Sequence, residues 1–198
     1  MDGRWLFWDC AWRALPECHN GPMDPRTPSE SDYTTTTNPE RFEAVIECAH
    51  TIMDRLETRL VVERSGGNWR EDFPRFVGWA DHRPPPLRLI PSSGATMVFG
   101  FTPAPGVAVR FGRTVEVLFP ACLCDACNAQ VSDVCEDLRF HVEATTTGGF
   151  REAVKWRKHE WSFESEGRIR RGKRMIQRQE RKTLGGKATL KYEPWPQR

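Results

Sequence analysis

The sequence predicts an α+β protein in which an antiparallel sheet of three to four strands packs against two main helices. Two stretches, residues 39–62 and 126–147, step their apolar residues by three or four, the period of a helix with one buried stripe. Between them, residues 87–119 alternate apolar with small or polar types in short runs broken by Gly and Pro, the pattern of an antiparallel meander. With 38% apolar and 28% charged residues, the chain has enough of each to bury a core and keep a wetted surface.

Residues 1–32 hold an aromatic cluster (Trp5, Leu6, Phe7, Trp8, Trp12) followed by a Pro, Ser and Thr-rich stretch, without a sustained period, and read as a flexible extension. The folded domain is expected over residues 33–163. Asn38-Pro39 reads as a helix start, with Asn accepting from free backbone N–H groups and Pro already at helical φ. Phe42, Val45, Ile46, Ala49, Ile52, Met53, Leu56 and Leu60 then form one stripe, and the helix is expected to end near Val62.

Residues 65–86, with Trp69, Trp79 and Pro84-Pro85-Pro86, read as a long connecting loop, because three consecutive prolines remove three donors. Leu87 to Ile90 and Met97 to Phe101 read as strands. Thr102 to Gly106 is a turn, Val107 to Phe111 a third strand, Gly112-Arg113 a two-residue turn, and Val115 to Phe119 a fourth. Asp125 is placed to cap the second helix, with Val131, Val134, Cys135, Leu138 and Val142 on its buried stripe and Gly148-Gly149 as its left-handed close. Val154 to Phe163 is a weaker strand candidate.

Charge is unevenly distributed. Residues 151–198 carry 15 Lys/Arg against 6 Asp/Glu, leaving 14 against 21 for residues 1–150. Residues 164–198 therefore read as a basic, solvated tail. Its Arg168, Arg170, Arg171, Lys173, Arg174, Arg178, Arg181 and Lys182 are candidates for contact with nucleic-acid phosphates, although helical spacing does not gather them on one face.

The chemically pointed feature is Phe119-Pro120-Ala121-Cys122-Leu123-Cys124-Asp125-Ala126-Cys127, three thiols within six residues at a strand-to-helix junction. A C-x-C-x-x-C run offers three of the four ligands that structural zinc takes. Cys135 is the nearest thiol for the fourth position, with Cys48, His50, His82, His141 and His159 as alternatives that only the fold brings close. If Asp125 caps the helix, Cys127 falls in its first turn, where the dipole favours thiolate. Buried inert thiols and a reactive dithiol are the competing readings; the second lacks the βαβ surroundings of a thioredoxin-like site.

Seven cysteines cannot all pair within one chain, and no long apolar stretch or secretory pattern is present, so the expected compartment is the reducing cytoplasm, without membrane contact. No phosphate-binding Gly loop, H-E-x-x-H or G-x-S-x-G occurs. His19, beside Cys18, reads as a solvated side chain.

Thr37 to Phe42, Pro105-Gly106-Val107, and Phe119-Pro120 followed by Cys122-Leu123-Cys124-Asp125-Ala126-Cys127 resemble an uncharacterised bacterial domain-of-unknown-function family over residues 33–163. The resemblance implies that the three cysteines share a role; it implies no activity. Leu123 stands where that family more often has Gly, and Asn128 where an acidic residue is usual. The function expected is that of a small non-catalytic module anchored by cysteines, with zinc as the candidate cofactor. The alternatives are a thiol- or metal-dependent enzyme using Cys122, Cys124 and Cys127, and nucleic-acid binding through the tail.

Overall fold

The computed structural model describes residues 30–76, 78 and 83–198. The N-terminal aromatic cluster, Cys18, His19, Trp79 and His82 lie outside the described residues.

Two antiparallel sheets, rather than one, enclose the two long helices. Helix α1 (Glu43–Arg59) is preceded by a 3-10 turn, Pro39–Phe42. Pro39 opens that turn as expected, but Asn38 lies at φ 101° and makes no side-chain capping bond. The helix also stops earlier than expected: Leu60 is already extended, and Val62–Gly66 is a strand, β1, paired antiparallel with β2 (Leu87–Pro91). β3 (Met97–Phe101), β4 (Val107–Phe111) and β5 (Val115–Phe119) complete a meander in the order β1-β2-β3-β4-β5. Phe111 stands opposite Val115, so the β4–β5 turn has three residues, not two, with Gly112 at φ 58°.

The inner face of this sheet carries Leu89, Met97, Phe99, Val107, Val109, Phe111, Val115 and Phe119, all buried. They pack against Val45, Ala49, Ile52 and Met53 of α1 and Leu138 and Val142 of α3 (Val131–Thr146). Each such side chain contributes roughly 1.5–3 kcal/mol on burial. The outer face has its own cover. A short helix, α2 (Trp69–Asp72), with Phe73 and Phe76, packs on Val98 and Ala108 within the span expected as loop. Gly100 is required there, because a Cβ would stand 2.5 Å from the Trp69 ring. Asp72, buried beneath that cover, accepts from Arg88 Nε at 2.9 Å and from Arg110 at 2.6 Å.

α3 ends as expected: Gly148 takes φ 82°, and the Gly149 N–H returns to the Ala144 carbonyl at 2.8 Å. After it the chain departs from expectation. The single strand expected over 154–163 is a hairpin of β6 (Arg151–Val154) and β7 (Lys158–Ser165), with Trp156 exposed in the turn. The basic residues expected to form a solvated tail build β8 (Arg168–Met175), a short helix α4 (Arg178–Thr183) and β9 (Ala188–Lys191). These complete a second sheet in the order β8-β7-β6-β9. Basic residues are tolerated in β8 because it is an edge strand, where charge discourages pairing with another chain. Two of them are also neutralised from α3: Arg168 pairs with Glu136 at 2.8 Å and Arg170 with Asp137, and both guanidinium groups lie over the Phe140 ring.

The C-terminus then closes the structure. Trp195 is 2% exposed and donates its indole N–H to the Ala95 carbonyl at 2.9 Å. Val61 N–H donates to the Pro196 carbonyl, and Arg198 N–H to that of Arg59.

Candidate metal centre

β5 delivers the chain to the cysteines through a cis Phe119-Pro120 peptide. Asp125–Cys127 forms one 3-10 turn, closed by Asn128 at φ 41°, and α3 begins only at Val131. Asp125 is therefore not the cap of α3, and Cys127 is not in its first turn. Asp125 instead reaches across the structure: its Oδ1 accepts from the Thr37 N–H at 2.8 Å and the Thr37 hydroxyl at 3.1 Å, while its own N–H donates to the Thr35 carbonyl. The carboxylate thus fastens the cysteine loop to the segment leading into α1.

The three thiol sulfurs lie within 4.8 Å of one another, with Cys122 to Cys124 at 3.0 Å and Cys124 to Cys127 at 3.2 Å. Cys124 is buried, Cys122 half-buried and Cys127 exposed. Four sulfurs around zinc at about 2.3 Å would stand about 3.8 Å apart, so these three accept the ion with a spread of several tenths of an ångström. The donor set fits: soft sulfur ligands, close together, at the protein surface. Without a cation the same proximity opposes ionisation. Burial, followed by the Cys122 thiol, pushes Cys124 up, and the Cys122 thiol, followed by burial, pushes Cys127 up. A reactive dithiol needs the opposite shift.

Among the described residues, no His, Asp, Glu or further Cys joins the three within 4.8 Å. Cys135 faces Cys48 across the α1–α3 contact; burial, then Cys48, raises its thiol to about 11. His50 stacks on Phe101 with ring centroids 4.7 Å apart. His141 is enclosed by Phe111, Phe119, Phe140 and Phe163 and bonds the Asp137 carbonyl through Nδ1.

His159 belongs to a different polar cluster, one that sequence reasoning missed. Glu152 of β6, 2% exposed, accepts from the N–H groups of Arg113 at 2.7 Å and Thr114 at 3.1 Å, and from the hydroxyls of Thr114 and Tyr192. The Thr114 hydroxyl gives its one proton to Glu152, so it accepts from His159 Nε2 at 2.8 Å. Burial alone would raise the Glu152 carboxyl, but the His159 ring 3.8 Å away, together with the bonds from Thr114, Tyr192 and the Arg113 N–H, outweighs it and holds the group below its ordinary range. The cluster ties the β4–β5 turn of the first sheet to the second sheet. The sequence signal was faint: a lone Glu in an alternating strand, with partners some forty residues away on either side.

With this geometry in place, the comparison that decides affiliation is with known families. Residues 7–198 match the model of a family of unknown function, DUF6226. The chain belongs to that family. The match extends well past residues 33–163 in both directions, so the basic C-terminal strands are family features, in keeping with their place in the second sheet. Among curated proteins and among solved structures, none matches the chain. Among the described residues, no helix is long and apolar enough to cross a membrane.

Proposed function

We propose that this member of DUF6226 is a non-catalytic, metal-anchored module in which Cys122, Cys124 and Cys127 hold one zinc ion. The convergence of three sulfurs within 4.8 Å supports the reading most directly. The ion would supply charge to hold the three sulfurs as thiolates and would cross-link the loop between β5 and α3. Asp125 extends that cross-link to the strand of chain before α1, through Thr35 and Thr37. Three protein ligands would leave the fourth position of the ion open to water.

An open fourth position is also what a metal-dependent enzyme keeps. The non-catalytic reading is preferred because Asp125, the nearest carboxylate in sequence, spends its Oδ1 on Thr37 and is engaged in holding the loop. The concavities lined by Thr51, Asp54, Arg55, Thr58 and Arg59, and by Arg178, Gln179 and Lys182, are shallow and touch none of the three cysteines. Thiolates held by zinc suit a reducing compartment, and the reading places the protein in a bacterial cytoplasm, with Phe-Pro-x-Cys-x-Cys-Asp-x-Cys as the mark of its family.

The test is thermal unfolding with and without a zinc chelator. Metal bonds present only in the folded state contribute folding free energy, so chelation lowers Tm and added zinc restores it. A Tm indifferent to both would refute the assignment.

A further inference from the structure

We propose that the open face of the second sheet binds a nucleic-acid strand through its phosphates, along a line that crosses all four strands and carries a cation on three of them. The inner face of this sheet is occupied by Glu152, Val154, His159, Phe163 and Ser165, all buried. The outer face presents the alternate residues, and among the described residues no element covers it. Strand register sets one line across that face: Arg171 opposite Ser162, Ser162 opposite Arg151, and Arg151 opposite Lys191. At a strand spacing of about 4.8 Å the row is about 14 Å long.

Arg171, Arg151 and Lys191 are exposed, and among the described residues no carboxylate pairs with any of them. Arg151 and Lys191 stand directly opposite each other, a like-charge pairing that weakens a sheet. A structure gains by such an arrangement when an anion neutralises it. The basic residues packed on α3 differ in this respect, since Arg168 and Arg170 already have acidic partners. Basic character alone therefore does not single out the row; unneutralised charge at fixed register does.

The shape of the charge selects the occupant. The flanking positions on β7 are acidic: Glu160 is held by Lys155, and Glu164 stands opposite Ile169. A flat anionic membrane pressed on the face would meet both carboxylates, whereas a single strand laid along the row passes between them. No Phe, Tyr or Trp projects from the outer face of β6 to β9, so bases have no stacking platform and recognition is of phosphate, without sequence preference. This proposal does not depend on zinc.

The experiment is fluorescence anisotropy of the full chain with a labelled single-stranded RNA of about 12 nucleotides, titrated from about 50 to 200 mM salt. With three phosphate contacts, log K should fall against log salt with a slope of about −2. The variant R151E/R171E/K191E should lose at least tenfold in affinity, with its slope flattened toward zero. A variant with reversals on exposed residues of α4, R178E/K182E, should stay within about threefold of the parent, and circular dichroism should confirm that both variants fold. The proposal is overturned by absence of RNA binding at low salt, by equal losses in the two variants, or by binding to phosphatidylserine vesicles in place of RNA.

Discussion

Replacing Trp195 with Ala tests whether the C-terminal segment is part of the folded structure or an appendage. The indole is 2% exposed, and its N–H donates to the buried Ala95 carbonyl at 2.9 Å. Truncating a buried Trp costs about 3–5 kcal/mol. Stranding the carbonyl adds about 1 kcal/mol, for a total of roughly 4–6 kcal/mol. Trp195→Phe keeps most of the ring but loses the donor, and should cost about 1–2 kcal/mol. The segment is fitted closely enough for the backbone to register it: at Gly94, φ 101°, a Cβ would stand 2.7 Å from both the Glu193 carbonyl and the Trp195 ring. Urea unfolding followed by far-UV circular dichroism gives the measurement. With a slope of about 2–3 kcal/mol per molar, the Ala variant should lose about 2 M in midpoint, and the Phe variant a fraction of that. An Ala midpoint within about 0.2 M of the parent, the behaviour of a surface substitution, would refute the packing described above.

Two carboxyls give pH predictions of opposite sign. Glu152 is held below its ordinary range, so its contribution is complete above the unfolded-state pKa and is lost as pH falls through the folded value. Glu152→Gln should therefore destabilise the protein at neutral pH and flatten the acid limb of the stability curve below about pH 4.5, read from Tm across pH. Glu116 is raised to about 7 by burial, against the lowering effect of Arg75, Arg110 and Arg174, and its Oε2 is buried without a partner. Its contribution is complete below about pH 4.5 and is lost as pH rises through about 7. Glu116→Gln should thus stabilise the protein above pH 7 by up to about 3 kcal/mol and have little effect at pH 4, a difference checked by denaturant titrations at pH 4 and pH 8.

What was legible in the sequence was set by local periodicity. The stripes from Val45 to Met53 and from Val134 to Val142 face the core as their spacing requires, and the alternation from Met97 to Phe119 gives the three expected strands, although the three-residue turn after β4 sets β5 one residue off the register of a two-residue turn. β1 was hidden because Val62 to Gly66 continues the composition of α1 and runs into Ser65-Gly66-Gly67; only pairing with β2 makes it a strand. β8 was hidden by charge. Arg170 and Arg174 occupy inward positions that a periodicity search expects to be apolar, and Arg170 is tolerated there through Asp137 and Phe140. At the cysteine cluster, the residue types and their spacing were readable. The bond from Asp125 to Thr37 was not, because its partners are separated by 88 residues.

The measurement that bears most directly on the metal-centre proposal is zinc content per chain by inductively coupled plasma mass spectrometry, on protein purified without a metal-binding tag. It is made beside a variant with Cys122, Cys124 and Cys127 all changed to Ser. The account predicts about one zinc per chain in the parent and none in the variant. A folded parent protein without metal, or zinc retained by the triple variant, would contradict it.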